Sequence, residues 1–133
     1  MYGFSLTYPG TLNQAIAAAT EALAAEGFGI LTEIDVEQTL RSKIGVEMRP
    51  YKILGACNPT LAHRALEADP DIGLLLPCNV VVREEADGKI TVAFMDPESV
   101  LALTNDEGIA ELSREVRERL QRVYTALTAR NAA

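Results

Sequence analysis

Cys57 and Cys78 are the two cysteines of the chain, and an asparagine follows each: Gly55-Ala56-Cys57-Asn58-Pro59 and Leu76-Pro77-Cys78-Asn79. Paired thiols can attack an electrophile and resolve the product as a disulfide, or hold a soft metal between them. Cys57 stands one residue before the expected cap of a helix. Unpaired N–H groups and the helix dipole there favour a thiolate, or a bound phosphate, sulfate or carboxylate. A small buried side chain with no chemistry is an equal reading, because free cysteine is among the most buried residue types. Cys78 and Asn79 fall inside the apolar run Ile72–Val82. An amide buried there needs a partner, or it costs about 1–3 kcal/mol. That partner is a backbone group where Pro77 interrupts the sheet, or a ligand shared with Asp96 and the backbone around Cys57. The candidate pocket is therefore Cys57, Asn58, Cys78, Asn79 and Asp96.

Other chemistry is largely excluded. With two cysteines and one histidine, a zinc site or a four-thiolate iron–sulfur cluster would need carboxylates or a second subunit, so no metal site is expected and no cofactor is indicated. His63 falls beside Arg64 and Glu67 on the outer side of its helix. Glu33, Asp35 and Glu37 are explained by a solvated helix start. Ser–His–Asp spacing, a P-loop, a dinucleotide fingerprint and a His-Glu-x-x-His helix are all missing. A net charge of −7 argues against nucleic acid, whose binding draws on clustered Lys and Arg. No apolar run approaches the roughly 20 residues of a membrane span, and the first residues lack a signal peptide's basic and apolar regions. The expected location is the cytoplasm, where two free thiols are favoured over a disulfide.

The elements that must position these residues follow from pattern. Tyr2, Phe4, Leu6 and Tyr8 alternate with small polar residues as in a half-buried strand that Pro9-Gly10 stops. Thr11 and Gln14 form a capping box for a helix ending at Gly27. A strand over 29–33 leads to a short helix capped by Asp35, and Tyr51–Cys57 is a strand whose Gly55 permits a close backbone approach. Asn58 caps the next helix, Pro59 suits its first position, and Leu61, Ala62, Ala65 and Leu66 face inward. The run Ile72–Val82 reads as a long strand buried on both faces and central in the sheet. Ala86-Asp87-Gly88 suits a three-residue hairpin loop, which pairs Val82 with Val92 and Val80 with Phe94 and sets Cys78 opposite Asp96. A short helix follows Asp96-Pro97. Thr104 and Glu107 then suggest the cap of a long last helix, with Ile109, Leu112, Val116, Leu120, Val123 and Leu127 on one face, its arginines mostly outward and fraying after Arg130.

At 133 residues with 48% hydrophobic content, the chain fits one domain, 1–133, able to bury a core. The element order predicts an α+β protein, a two-layer sandwich with a mixed sheet of about five strands and helices on one face; a ferredoxin-like plait is the alternative. The runs 51–59 and 72–82, followed by Met95-Asp96-Pro97, resemble the domain of unknown function 302 family over nearly the whole chain. That resemblance implies a compact two-layer protein of bacterial or archaeal type and a homodimer, and it carries no substrate, reaction or catalytic residue. Three functions are then in view. They are a pocket for a small molecule or anion at the Cys57-Asn58 helix start, a thiol-dependent redox or soft-metal-handling enzyme, and a homodimeric interaction module.

Overall fold

In the computed structural model, which describes residues 2–132 and side chains through Ala129, the opening alternation forms β1 (Gly3–Tyr8), with Leu6 buried and Ser5 and Thr7 exposed. Helix α1 (Leu12–Ala25) starts on the expected capping box: the Gln14 N–H donates to Thr11 Oγ1 at 3.1 Å and the Thr11 N–H to Gln14 Oε1 at 3.0 Å. Its buried face is mostly alanine, namely Ala15, Ala18, Ala19 and Ala22 with Leu23, so it lies close against the sheet. Gly27 ends it at φ 86°, and the Phe28 N–H closes back on Leu23 O at 2.9 Å, the bond that satisfies a helix's last carbonyls.

β2 (Gly29–Asp35) leads into α2 (Val36–Ile44), capped by Asp35 and ended by Gly45 in the left-handed region. β3 (Tyr51–Cys57) and α3 (Pro59–Ala68) follow as the sequence predicts. The run from Ile72 does not form one strand. Residues Pro70–Leu75 are a 3-10 turn capped by Asp69, whose Oδ1 accepts the Asp71 N–H at 3.0 Å, and β4 spans Cys78–Glu84. Its apolar residues are therefore divided: Ile72 is buried while Leu74 stands in solvent. β4 takes the central place in the sheet but buries one face only, through Cys78, Val80 and Val82.

The hairpin into β5 (Ile90–Met95) has the predicted register, Val82 with Val92 and Val80 with Phe94, and Gly88 sits at φ 84°. α4 (Pro97–Leu101) and a 3-10 turn precede α5 (Glu107–Ala132). Asp106, not Thr104, caps α5 by accepting the Ile109 N–H at 3.0 Å, while Thr104 Oγ1 donates to Leu101 O. The expected fraying after Arg130 falls on backbone that is helical through Ala132, and residue 133 lies outside the described residues. All six residues of the predicted α5 stripe are buried.

The five strands order as β1-β5-β4-β3-β2, and every neighbouring pair is antiparallel. The expected mixed sheet is corrected on this point. A β–α–β unit joins β1 to β2, but these strands occupy opposite edges, so no parallel pair arises. Nor does the order β-α-β-α-β-α-β-β match the β-α-β-β-α-β of a ferredoxin-like plait. Helices α1 and α5 pack side by side over one face, with α3 along α5, giving a two-layer α+β sandwich. At the β1 edge, Phe4 stacks on Phe94 (centroids 5.4 Å) and meets the edge of Tyr124 on α5 (5.9 Å).

Candidate functional site

The site begins where β3 runs into α3. Asn58 leaves the strand at φ −99°, ψ 108°, and its Oδ1 accepts the Leu61 N–H at 3.2 Å. With Oδ1 engaged, Nδ2 is directed toward Gly27, where an added Cβ would lie 2.8 Å from it. A side chain at Gly27 would therefore collide with the cap as well as strain a positive φ. Asn58 is itself only 9% exposed, so its amide is held rigidly at the junction of α1, β3 and α3.

Next to this junction lies a cavity of about 300 Å³. Phe28 and Leu31 approach it from the β2 side, Leu61, Ala62, Ala65 and Leu66 from α3, and Leu101, Leu112 and Val116 from α4 and α5. Its remaining wall is Ala56, Cys57 and Asn58 with Gly73, Leu76, Pro77 and Cys78. Asn58 is the one amide in an otherwise aliphatic, aromatic and thiol surface. Leu31 and Leu66, 66% and 43% exposed, form an apolar rim.

Three of the five predicted site residues meet here: Cys57, Asn58 and Cys78. Ala56 is the ladder partner of Cys78, so strand alternation alone would turn Cys57 to the other face. Cys57 instead lines the same cavity because β3 ends there and the chain turns into α3. Both cysteines are free. Burial, and to a lesser extent the charge of an ionised Cys57, push the Cys78 thiol up from an ordinary 9.0 to about 11. Desolvation always penalises the charged form of such a group.

Asn79 and Asp96 lie elsewhere. Asn79 pairs with Gly55 on the opposite face of the sheet and is exposed, so water satisfies the amide that the sequence places in a dry interior. It borders a shallow groove with Tyr51, Val81 and Arg83. Asp96 is not opposite Cys78, since the β4–β5 ladder begins at Val80–Phe94 and β5 ends at Met95. Instead its Oδ1 caps α4 through the Glu98 N–H at 3.0 Å, and Arg117 Nε approaches it at 3.3 Å.

Gly55 is required by close approach: a Cβ there would collide with Thr32 Oγ1 and stand 2.9 Å from Pro77 Cγ. The bond before Pro77 is cis. His63 is exposed and pairs with Glu67 at 3.0 Å. Glu33 pairs with Lys52, and Glu37 with Arg41; among the described residues no three His, Cys, Asp or Glu side chains converge as metal ligands. Arg119 turns inward, contrary to the outer position expected of it. Its Nη1 donates to Glu26 O at 2.9 Å, Nη2 meets Glu115 at 3.2 Å, and Nε is buried without a protein partner. Sequence reading also missed the walls from Phe28, Leu101, Leu112 and Val116. Their only signal is apolarity on an inward face, which every core residue shares.

Among the described residues no helix is long and apolar enough to cross a membrane. No curated protein matches the chain significantly. A crystal structure of an uncharacterised conserved DUF302 protein from Bacillus stearothermophilus is similar to it, with a TM-score of 0.88 and 28% identity over 96% of this chain and 98% of that one. The model of the domain of unknown function DUF302 matches residues 4–127, a span that takes in β1 from Phe4, the other four strands and every wall residue of the cavity, and the chain therefore belongs to the DUF302 family.

Proposed function

We propose that the protein binds a small, predominantly apolar molecule in the cavity beside the Cys57-Asn58 helix start. The observation that carries this reading is an open cavity of about 300 Å³ whose walls are aliphatic, aromatic or thiol apart from one amide. Ligand pockets combine apolar walls with a few fixed polar groups in this way, and the volume is at the lower end of their range. Asn58, held by its cap bond and by Gly27, is the orienting group. An anion is the poorer occupant. No Lys, Arg or His lines the cavity, Pro59 has no N–H to offer, and the Leu61 N–H is already bound to Asn58. A thiol enzyme is also less well served, because burial keeps Cys78 protonated near neutral pH.

Titration with the uncharged fluorophore N-phenyl-1-naphthylamine tests the proposal. Saturable binding is expected, with no competition from phosphate, sulfate or acetate. Ala62→Phe, which projects a ring from the half-buried cavity wall, should weaken binding at least about tenfold without loss of the folded circular dichroism spectrum. No saturable signal, or equal affinity in the folded variant, would overturn it.

A second reading, the homodimeric module, is favoured by the uncovered sheet face. There Tyr51, Val81, Ala93 and Met95 are only half-buried, and a second copy would cover them. Light scattering that gives a monomer mass at every concentration would dispose of it.

A further inference from the structure

The two thiols share a wall of the cavity, and nothing in the apolar-ligand reading uses them. Cys57 ends β3, Cys78 begins β4, and the Ala56–Cys78 pairing sets them one residue apart across adjacent strands. Cys78 is buried, Cys57 is half-exposed, and both open into one volume. Their surroundings also limit what they can hold. The lining contains no His, Met, Asp or Glu, so zinc, which takes four ligands in structural sites, has too few donors. Soft thiolates select soft ions, and Cu(I), with a filled d shell, is satisfied by two sulfurs in a line.

We propose that Cys57 and Cys78 form a two-coordinate site for Cu(I), with the half-exposed Cys57 as the point of entry. The proposal rests on the same cavity as the proposed function but not on its occupant. In the binding step two S–H bonds break and two Cu–S bonds form. Both protons pass to solvent, no electron is transferred, and the bis-thiolate centre carries one negative charge. That charge sits one residue before the cap of α3, where a helix dipole favours it. The apolar walls keep water and hard ligands from competing.

Anaerobic competition between the reduced protein and the Cu(I) chelator bicinchoninate tests the site. One Cu(I) per chain is expected, with X-ray absorption reporting two sulfur neighbours and no nitrogen. Loss of an outer-shell partner alone costs a metal site 10–100-fold, so removing one sulfur should cost more than about 100-fold. Cys57→Ser is the primary variant because that position is half-exposed, and Cys78→Ala, apolar in a buried place, is the second. Unchanged affinity in either folded variant, or one copper shared by two chains, would overturn the proposal. N-phenyl-1-naphthylamine binding in Cys57→Ser separates the two ideas: if it persists while wild-type copper binding is absent, only the metal site fails. Copper bound by a protein that never takes up the fluorophore would leave only the apolar-ligand reading overturned.

Discussion

The buried thiol of Cys78 should make the stability of the metal-free protein fall as pH rises above 9.0. In the folded chain this thiol keeps its proton to about pH 11, whereas its ordinary value is 9.0. Below pH 9.0 both states are protonated and the contribution of the buried neutral thiol is fully present. Above it the unfolded chain releases a proton that the folded chain retains. Unfolding is then favoured by close to 1.4 kcal/mol per pH unit until the folded thiol titrates as well. The whole window is worth about 2–3 kcal/mol, and Cys78 is 8% exposed, so solvent screening takes little from it. The assay is urea unfolding followed by far-UV circular dichroism, with reductant, from neutral pH to about pH 11. The informative quantity is wild type minus Cys78→Ala, in which contributions that do not depend on this thiol cancel. Losing the sulfur contributes a pH-independent offset of roughly 1 kcal/mol to that difference. Its slope above pH 9.0 belongs to the thiol. A difference that stays flat across the window would show that Cys78 titrates as if hydrated, and the dry wall of the cavity would be refuted with it.

Two further substitutions test the frame of the site. Gly55→Ala should cost about 1–3 kcal/mol through overpacking against Pro77 and Thr32; adding Thr32→Ala should restore part of this, and equal urea midpoints for Gly55→Ala with and without Thr32→Ala would show that the contact is not the cause. Asn58→Ala should cost about 1 kcal/mol and speed amide exchange at Leu61, with Asn58→Ser retaining most of the protection; unchanged exchange at Leu61 in Asn58→Ala would mean that the cap bond contributes nothing.

Much of the frame was legible because local rules determine it. Thr11, Asp35 and Asn58 cap helices as their types and spacing require, and the loop closed by Gly88 fixes the β4–β5 register without tertiary information. The stripe on α5 was equally plain, since a 3.6-residue period over 26 residues has no competing reading. Strand partners were not. β1 and β2 read as a β–α–β unit, and only the whole sheet sends them to opposite edges. Ile72–Val82 misled for a related reason: a short apolar run carries no period, so a 3-10 turn with one buried isoleucine followed by a one-faced strand looks like one buried strand. Thr104 lost the cap to Asp106, a good cap type with no Glu or Gln three residues on, because the 3-10 turn after α4 engages the Thr104 hydroxyl with Leu101 O.

The repeated Cys-Asn pair shows how composition and geometry part company. Side chains alternate across a strand, so a Cys-Asn dipeptide inside β4 must send its two members to opposite faces, and it does: Cys78 into the cavity, Asn79 to solvent. At the end of β3 that constraint lapses. The chain turns into α3, and Cys57 and Asn58 both reach the cavity wall. Two identical dipeptides are thus inequivalent: both cysteines line the cavity, and the two amides differ in place. Asn58 fixes the helix start that shapes the cavity, and Asn79 faces solvent on the other side of the sheet. Of the repeated motif, the two thiols and Asn58 line the cavity and Asn79 does not.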